Sequence, residues 1–108
     1  MRVIALKTLK VFSLDPRYRD SEQSILSWYQ VVKSAIWSNP NDIRNDFGNV
    51  SILQDGRVVF DIGGNKYRLV VWVNYHYKIV YIKFIGTHSQ YDHIDSQTVQ
   101  GPNKVDKT

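Results

Sequence analysis

The side chains in this sequence that could move protons or hold a phosphate group are concentrated between Lys66 and Asp92. His88 is followed three residues later by Tyr91, so one helical turn would bring an imidazole and a phenol, both able to transfer protons, to the same side. Arg68 supplies a guanidinium, whose planar fork matches two phosphate oxygens. Four basic side chains and no acidic one occur from Lys66 to Tyr91. This segment would therefore attract a polyanion.

Together these groups could cleave RNA without a metal ion. The neighbouring 2′-hydroxyl would attack the phosphorus, so the protein needs a base, an acid and a cation that stabilises the crowded phosphate. We assign proton transfer to His88 and Tyr91 and the phosphate contact to Arg68, while Asp92 could orient His88 or cap the turn that follows. Contacts to the rest of the RNA are predicted for Lys66, Lys83, Asn65 and Arg57.

Each candidate also has an ordinary structural interpretation. A histidine after a strand is more often a hydrogen-bonded surface residue than a catalyst. Arg68 could simply form a salt bridge with Asp61 or Asp92, and Gly63–Gly64 could serve only a turn that needs positive φ. Because the histidines show no paired spacing and the carboxylates no cluster, neither a metal nor a cofactor is predicted.

Size and composition limit the possible classes of protein. A chain of 108 residues with 43% hydrophobic content fits one domain with one core. The formal charge of +4 favours an anionic partner. Without cysteine the chain has no disulfide or thiolate nucleophile, which favours a cytoplasmic location. No window approaches the roughly 18 apolar residues that a membrane span requires, and the N-terminal residues do not resemble a signal peptide.

The period of the apolar residues is helical in the first part of the chain. A strand over residues 1–5 and a helix over 7–14 come first, and Pro16 ends this helix. A longer helix is predicted over residues 21–37, with a capping box formed by Asp20 and Gln23. Its apolar stripe comprises Ile25, Trp28, Tyr29, Val32, Ala35 and Ile36. Asn39 can cap another short helix that starts at Pro40.

From Val50 onward the period becomes strand-like. Short turns join four predicted strands, which must form an antiparallel meander; they cover residues 50–53, 57–62, 67–74 and 78–87. The strand at 67–73 is apolar on both faces, which is typical of a central strand covered on both sides. The pattern therefore predicts an α+β fold with helices on one face of a mainly antiparallel sheet. Residues 1–96 are predicted to form a single domain, and the polar residues 97–108 a disordered tail.

Two motifs in this sequence resemble those of the HigB toxins of bacterial toxin–antitoxin pairs. They are VFDIGGNKYRLV at residues 59–70 and GTHSQYD at residues 86–92, and the resemblance extends to Trp28–Tyr29 and Trp37–Pro40. It covers about residues 1–95, in the same order and with similar spacing. The resemblance implies a small RelE-like fold with an N-terminal strand, two to three helices and about five strands.

The same resemblance implies an mRNA endonuclease that acts on messages under translation by the ribosome and so inhibits growth. It also implies neutralisation by a HigA-type antitoxin with a helix-turn-helix domain, so that DNA would be contacted only through that partner. RelE-like enzymes differ in which side chains act as acid and base, and the fold alone does not assign these roles here.

Two other functions remain open at the sequence level. One is a basic RNA- or ribosome-binding module without cleavage, in which His88 is incidental. The other is a protein-interaction domain that uses the amphipathic helix over residues 21–37 or an exposed edge strand. Replacement of His88 and Tyr91 would distinguish cleavage from binding alone.

Overall fold

In the computed structural model, which describes residues 1–100, five strands form one sheet with the three longer helices on one of its faces. The strands are β1 (Arg2–Ile4), β2 (Val50–Ile52), β3 (Arg57–Ile62), β4 (Tyr67–Asn74) and β5 (Ile79–Thr87). The helices are α1 (Leu6–Leu14), α2 (Glu22–Ser34), α3 (Pro40–Asp46) and α4 (His88–Tyr91), and a 3₁₀ segment (Pro16–Ser21) joins α1 to α2.

The strand order across the sheet is β1-β5-β4-β3-β2. β2 to β5 form the predicted antiparallel meander, while β1 pairs in parallel with β5. β4 is the central strand, as its apolar sequence predicted. The register between β4 and β5 shifts because Val70 faces Phe84 whereas Val71 faces Ile82, so Lys83 is the extra residue of a β-bulge. The predicted α+β class is confirmed.

The second helix differs from its prediction at both ends. Its N-cap is Ser21, which makes no side-chain capping bond, so the capping box of Asp20 and Gln23 is wrong. The Asp20 carboxylate instead accepts hydrogen bonds from the Lys66 amine and the Tyr67 hydroxyl, both distant in sequence. The helix ends at Ser34, because Ala35 has an extended backbone, and Ile36 beyond it is 80% exposed.

The third helix begins as predicted. Pro40 is its first residue, and the Asn39 side-chain oxygen accepts a bond of 3.1 Å from the Asp42 amide. The Trp37 indole donates to Asp46 Oδ2 over 2.8 Å, which ties the preceding loop to the end of α3. This contact places Trp37 in the core, where it is 2% exposed.

The two faces of the sheet are covered differently. On the helix-covered face, Phe60 contacts the rings of Trp28, Trp37 and Phe47 at centroid distances of 5.5, 6.4 and 4.9 Å. On the opposite face a smaller cluster is buried under α4 and the residues that follow it. Its buried members are Val59, Val70 and Phe84, and its cover consists of Leu53, Tyr91, Ile94 and Val99.

The packed chain continues past the boundary predicted at residue 96. The Gln97 side chain exchanges hydrogen bonds with the Gln54 backbone over 3.1 and 2.7 Å. The Val99 carbonyl accepts a bond of 2.5 Å from Arg57 Nη1. The rest of the predicted tail, residues 101–108, lies outside the residues that the structure describes. Among residues 1–100, α2 is the longest helix at 13 residues, and no helix is long and apolar enough to cross a membrane.

Candidate active site

α4 begins where β5 leaves the sheet, and His88 is its first residue. The Thr87 hydroxyl accepts a bond of 3.1 Å from the Gln90 amide, and Gln90 Oε1 accepts one of 2.9 Å from the Thr87 amide. This reciprocal capping box fixes the turn from which His88 projects. Sequence reasoning missed it, although Thr followed three residues later by Gln is its recognised signal.

The register of β4 against β5 brings the predicted phosphate-binding residue to the same corner of the sheet. Arg68 lies directly opposite Gly86, and the amide of His88 donates to the Lys66 carbonyl over 3.2 Å. Gly86 has no room for a side chain, since an added Cβ would lie 2.6 Å from both Phe84 Cζ and Gln90 Oε1. The backbones of Lys66, Arg68 and His88 therefore meet at the start of α4.

His88 and Asp92 form an exposed pair. The distance from His88 Nδ1 to Asp92 Oδ2 is 3.4 Å, and their side chains are 53% and 59% exposed. The pair involves Nδ1, so Nε2 remains available to a substrate. The Asp92 amide also donates to the His88 carbonyl over 3.1 Å, so Asp92 closes the helical turn as well as contacting the ring. Both roles proposed for Asp92 are thus compatible with its position.

Arg68 is mostly buried, with 13% of its side chain exposed. Its Nη1 lies 3.2 Å from Asp61 Oδ1, so the salt bridge considered from the sequence forms with Asp61. The same nitrogen donates to the carbonyls of Asn65 and Tyr67 over 3.1 and 3.4 Å. These three contacts all use Nη1, which leaves Nε and Nη2 as donors for a phosphate. Asn65 itself lies in the turn before β4, where its φ is +93°.

Tyr91 is half-buried rather than open to solvent. Its side chain packs on the cluster of Val59, Val70 and Phe84 on the face away from the large helices. Tyr91 therefore helps to hold α4 against the sheet, in addition to any chemical role. His88, one turn earlier, is the more accessible of the two groups.

Lys66 is exposed but has a carboxylate partner. Its amine pairs with Asp20, and the Tyr67 hydroxyl donates to the other oxygen of that carboxylate over 2.5 Å. The bond from Lys66, followed by that from Tyr67, lowers the pKa of Asp20. Burial, followed by the bond to Asp20, raises the pKa of Tyr67 to about 12. Asp20 therefore partly offsets the positive charge of Lys66.

The two remaining predicted RNA contacts lie elsewhere on the sheet. Arg57 is opposite Trp72, and it is 8% exposed because its guanidinium donates to the carbonyls of Val99 and Ser96. Burial lowers the pKa of Arg57, and burial with the nearby Arg57 charge lowers that of Lys83. The structure thus brings Asn65 and Lys66 near His88, but not Arg57 or Lys83. No cluster of three potential metal ligands occurs within residues 1–100.

A five-stranded sheet with one parallel edge strand, helices on one face and a one-turn helix carrying exposed polar groups is the architecture of a small RelE-like toxin. Residues 21–94 match the HigB_toxin family, described as the RelE-like toxic component of a toxin–antitoxin system, and the chain belongs to this family. The chain is 30% identical over 78 residues to the mRNA interferase HigB of Escherichia coli O6:H1. That alignment covers 70% of this chain and 76% of the relative.

Proposed function

We propose that this chain is an mRNA interferase, a metal-independent endoribonuclease that cuts messages during translation and thereby inhibits growth. The name of the E. coli relative supports the activity. The observation that supports the chemistry is the start of α4, where the exposed His88–Asp92 pair begins two residues after Gly86, the residue opposite Arg68 in the sheet. Cytoplasmic location follows from this substrate, since ribosomes and messages are found there.

The proposed reaction is a transesterification within the RNA. The 2′-oxygen attacks the adjacent phosphorus and gives its proton to a base, while the bond from phosphorus to the 5′-oxygen breaks and that oxygen receives a proton. The products are a 2′,3′-cyclic phosphate and a 5′-hydroxyl end. His88 and Tyr91 share the two proton transfers, with Asp92 orienting the His88 ring. Arg68 stabilises the phosphate through Nε and Nη2.

The exposed character of the site favours dependence on the ribosome. His88 and Asp92 are both more than half exposed and the distance between them is long for a hydrogen bond, so the pair by itself does not position a substrate. A ribosome that holds the message in line for attack would supply this positioning, which is worth about 7–11 kcal/mol in favourable cases. Asn65 and Lys66 would add contacts to the RNA backbone close to the reacting group.

Membership of a toxin–antitoxin family implies an antitoxin partner. We propose that it is a HigA-type protein with a helix-turn-helix domain and that this chain meets DNA only through that protein. Co-expression of the adjacent reading frame with a tagged toxin tests this. Recovery of a helix-turn-helix protein in a complex is expected, and a neighbouring frame without such a domain would contradict the proposed partner.

The proposed activity is tested by inducing the chain in cells and mapping new 5′-hydroxyl ends in messages, with translation running and with initiation blocked. Cuts are expected only while translation runs. His88→Ala should reduce them by about 10²–10⁴-fold, whereas His76→Ala, which changes an exposed histidine in the β4–β5 turn, should leave them unchanged. Growth inhibition without new ends would favour the alternative of RNA or ribosome binding without cleavage.

A further inference from the structure

A cleft of about 620 Å³ adjoins the proposed active site on the side of α1. It lies between α1, the 3₁₀ segment and the junction of β5 with α4. Among the residues that line it are Lys7, Arg17, Tyr18 and Gln90. Its volume is within the range of about 300–1,000 Å³ typical of pockets for small organic groups, so it can accommodate a nucleotide.

One residue connects this cleft to the catalytic corner. Gln90 Nε2 donates to the Tyr18 hydroxyl over 3.2 Å, while its Oε1 and amide form the capping box with Thr87. The same side chain therefore forms part of the cleft wall and holds the helical turn that carries His88. The wall of the cleft therefore includes a residue of the same helical turn, two positions after His88.

The net positive charge of the sequence is carried by its N-terminal elements, and two of these, α1 and the 3₁₀ segment, form part of the cleft wall. Residues 1–19 contain five Lys and Arg against one Asp, whereas the rest of the chain contains nine of each sign. The formal charge of +4 thus resides in residues 1–19, which comprise β1, α1 and most of the 3₁₀ segment before Asp20. Lys7 and Arg17, two of these five cations, line the cleft, and both are exposed.

Arg17 is held in a fixed position. Its Nε and Nη2 donate to the Asp15 carboxylate over 3.1 and 2.7 Å, and its guanidinium carbon lies 5.0 Å from the centre of the Tyr18 ring. The Tyr18 ring in turn stacks on Phe12 at 4.4 Å. These contacts leave Nη1 as a donor on a side chain that is 73% exposed. A planar guanidinium supported in this way can bind a phosphate and stack against a base.

We propose that this cleft binds the RNA strand beyond the scissile phosphate, with Lys7 and Arg17 on backbone phosphates and a base against the Arg17 guanidinium. This inference rests on the proposed function, since it assigns a second subsite to the same substrate. It adds residues of α1 and the 3₁₀ segment that lie before the part of the chain matched by the family.

The test compares two double variants that remove the same charge from the same elements. Lys7→Ala with Arg17→Ala removes the cleft cations, while Lys10→Ala with Arg19→Ala removes two exposed cations that do not line the cleft. The probe is a fluorescent, random-sequence 2′-O-methyl RNA decamer, which has no 2′-hydroxyl to attack. The cleft double variant should weaken binding about tenfold. It should also reduce the steepness of the dependence of log K on log salt concentration by about 1.4, the value expected for the loss of two phosphate contacts on a single strand. The control pair should change the affinity less than about threefold.

Equal losses of RNA affinity in the two double variants, or no RNA binding by the wild type, would overturn the inference and favour a protein as the occupant of the cleft. A second measurement does not depend on the folding of a variant: the wild-type protein is crosslinked to 4-thiouridine RNA on translating ribosomes. Crosslinks to residues 7–18 are expected, and crosslinks confined to other segments would contradict the cleft. The proposed function fails separately, if the wild type does not cut messages in the same translation reaction.

Discussion

The two faces of the sheet differ in the size of their apolar clusters and in the kind of residue that each contains. The helix-covered face buries large aromatic rings in mutual contact, with Phe60 at the centre of three of them. The opposite face has a small apolar cluster under a single helical turn and the residues after it. Charged side chains occur on this second face because Asp61 and nearby backbone carbonyls can pair with them. The helix-covered face thus stabilises the fold, and the opposite face can accommodate charged and catalytic side chains.

Replacing one phenylalanine on each face tests this difference and should give the largest effect on stability. Phe60→Ala is expected to lower the free energy of unfolding by about 3–5 kcal/mol, because three rings around it lose contacts. Phe84→Ala should cost less, since its smaller cluster can collapse, but should slow cleavage because Tyr91 rests on that cluster. Urea denaturation and cleavage rates of both variants check this. A larger stability loss for Phe84→Ala would reverse the assignment of the two faces.

A methyl group added at Gly86, where β5 meets α4, should have an effect on stability of intermediate size. Gly86→Ala should cost about 1–3 kcal/mol, because its Cβ would clash with Phe84 and with the capping side chain of Gln90. Gly48→Ala is the matched control, since nothing lies within 4 Å of that Cβ. Thermal denaturation measures both variants. Equal melting temperatures for the two would show that the junction is looser than its contacts indicate.

The smallest effect expected is the pH dependence of stability that arises from the hydrogen bond between Asp20 and Tyr67. Asp20 has a lowered pKa in the folded protein, so its contribution to stability is present above its unfolded pKa of about 3.9 and is lost as the pH falls through the folded value. Tyr67 has a raised pKa, so its contribution is lost as the pH rises from about 10 towards about 12.

Unfolding measured against pH for Asp20→Asn and Tyr67→Phe checks both windows. The stability difference between wild type and Asp20→Asn should shrink in acid, and that for Tyr67→Phe should shrink in strong alkali. A difference that stays constant across either window would show that the bond between Asp20 and Tyr67 does not form in solution.

The elements predicted most accurately are those that local sequence determines. β3 and β4 have the predicted bounds because each is an apolar run between turn residues, and the glycines of the turn between them adopt the predicted positive φ. The capping box of α2 was predicted wrongly because the partners of Asp20 lie 46 and 47 residues away. A local capping signal gives no information about hydrogen-bond partners that are so distant in sequence.

The candidate site was predictable only in those parts that local sequence determines. His88, Tyr91 and Asp92 are neighbours in sequence, so their placement on one turn follows from a short motif. The burial of Arg57 depends on where residues 96–99 return to the sheet, which no local pattern reveals. The charge of residues 1–19 can be counted from the sequence, but the cleft beside it depends on how α1 meets α4.

The claim that His88 and Arg68 form one RNA-cleaving site is tested most directly by single-turnover cleavage of a message on translating ribosomes. Wild type, His88→Ala, Arg68→Ala and the double variant are compared, with His76→Ala as control. His88→Ala is expected to slow cleavage by about 10²–10⁴-fold, and the double variant should be little slower than the worse single variant, because groups that act as a unit are not additive. Cleavage by His88→Ala at the wild-type rate would contradict the account.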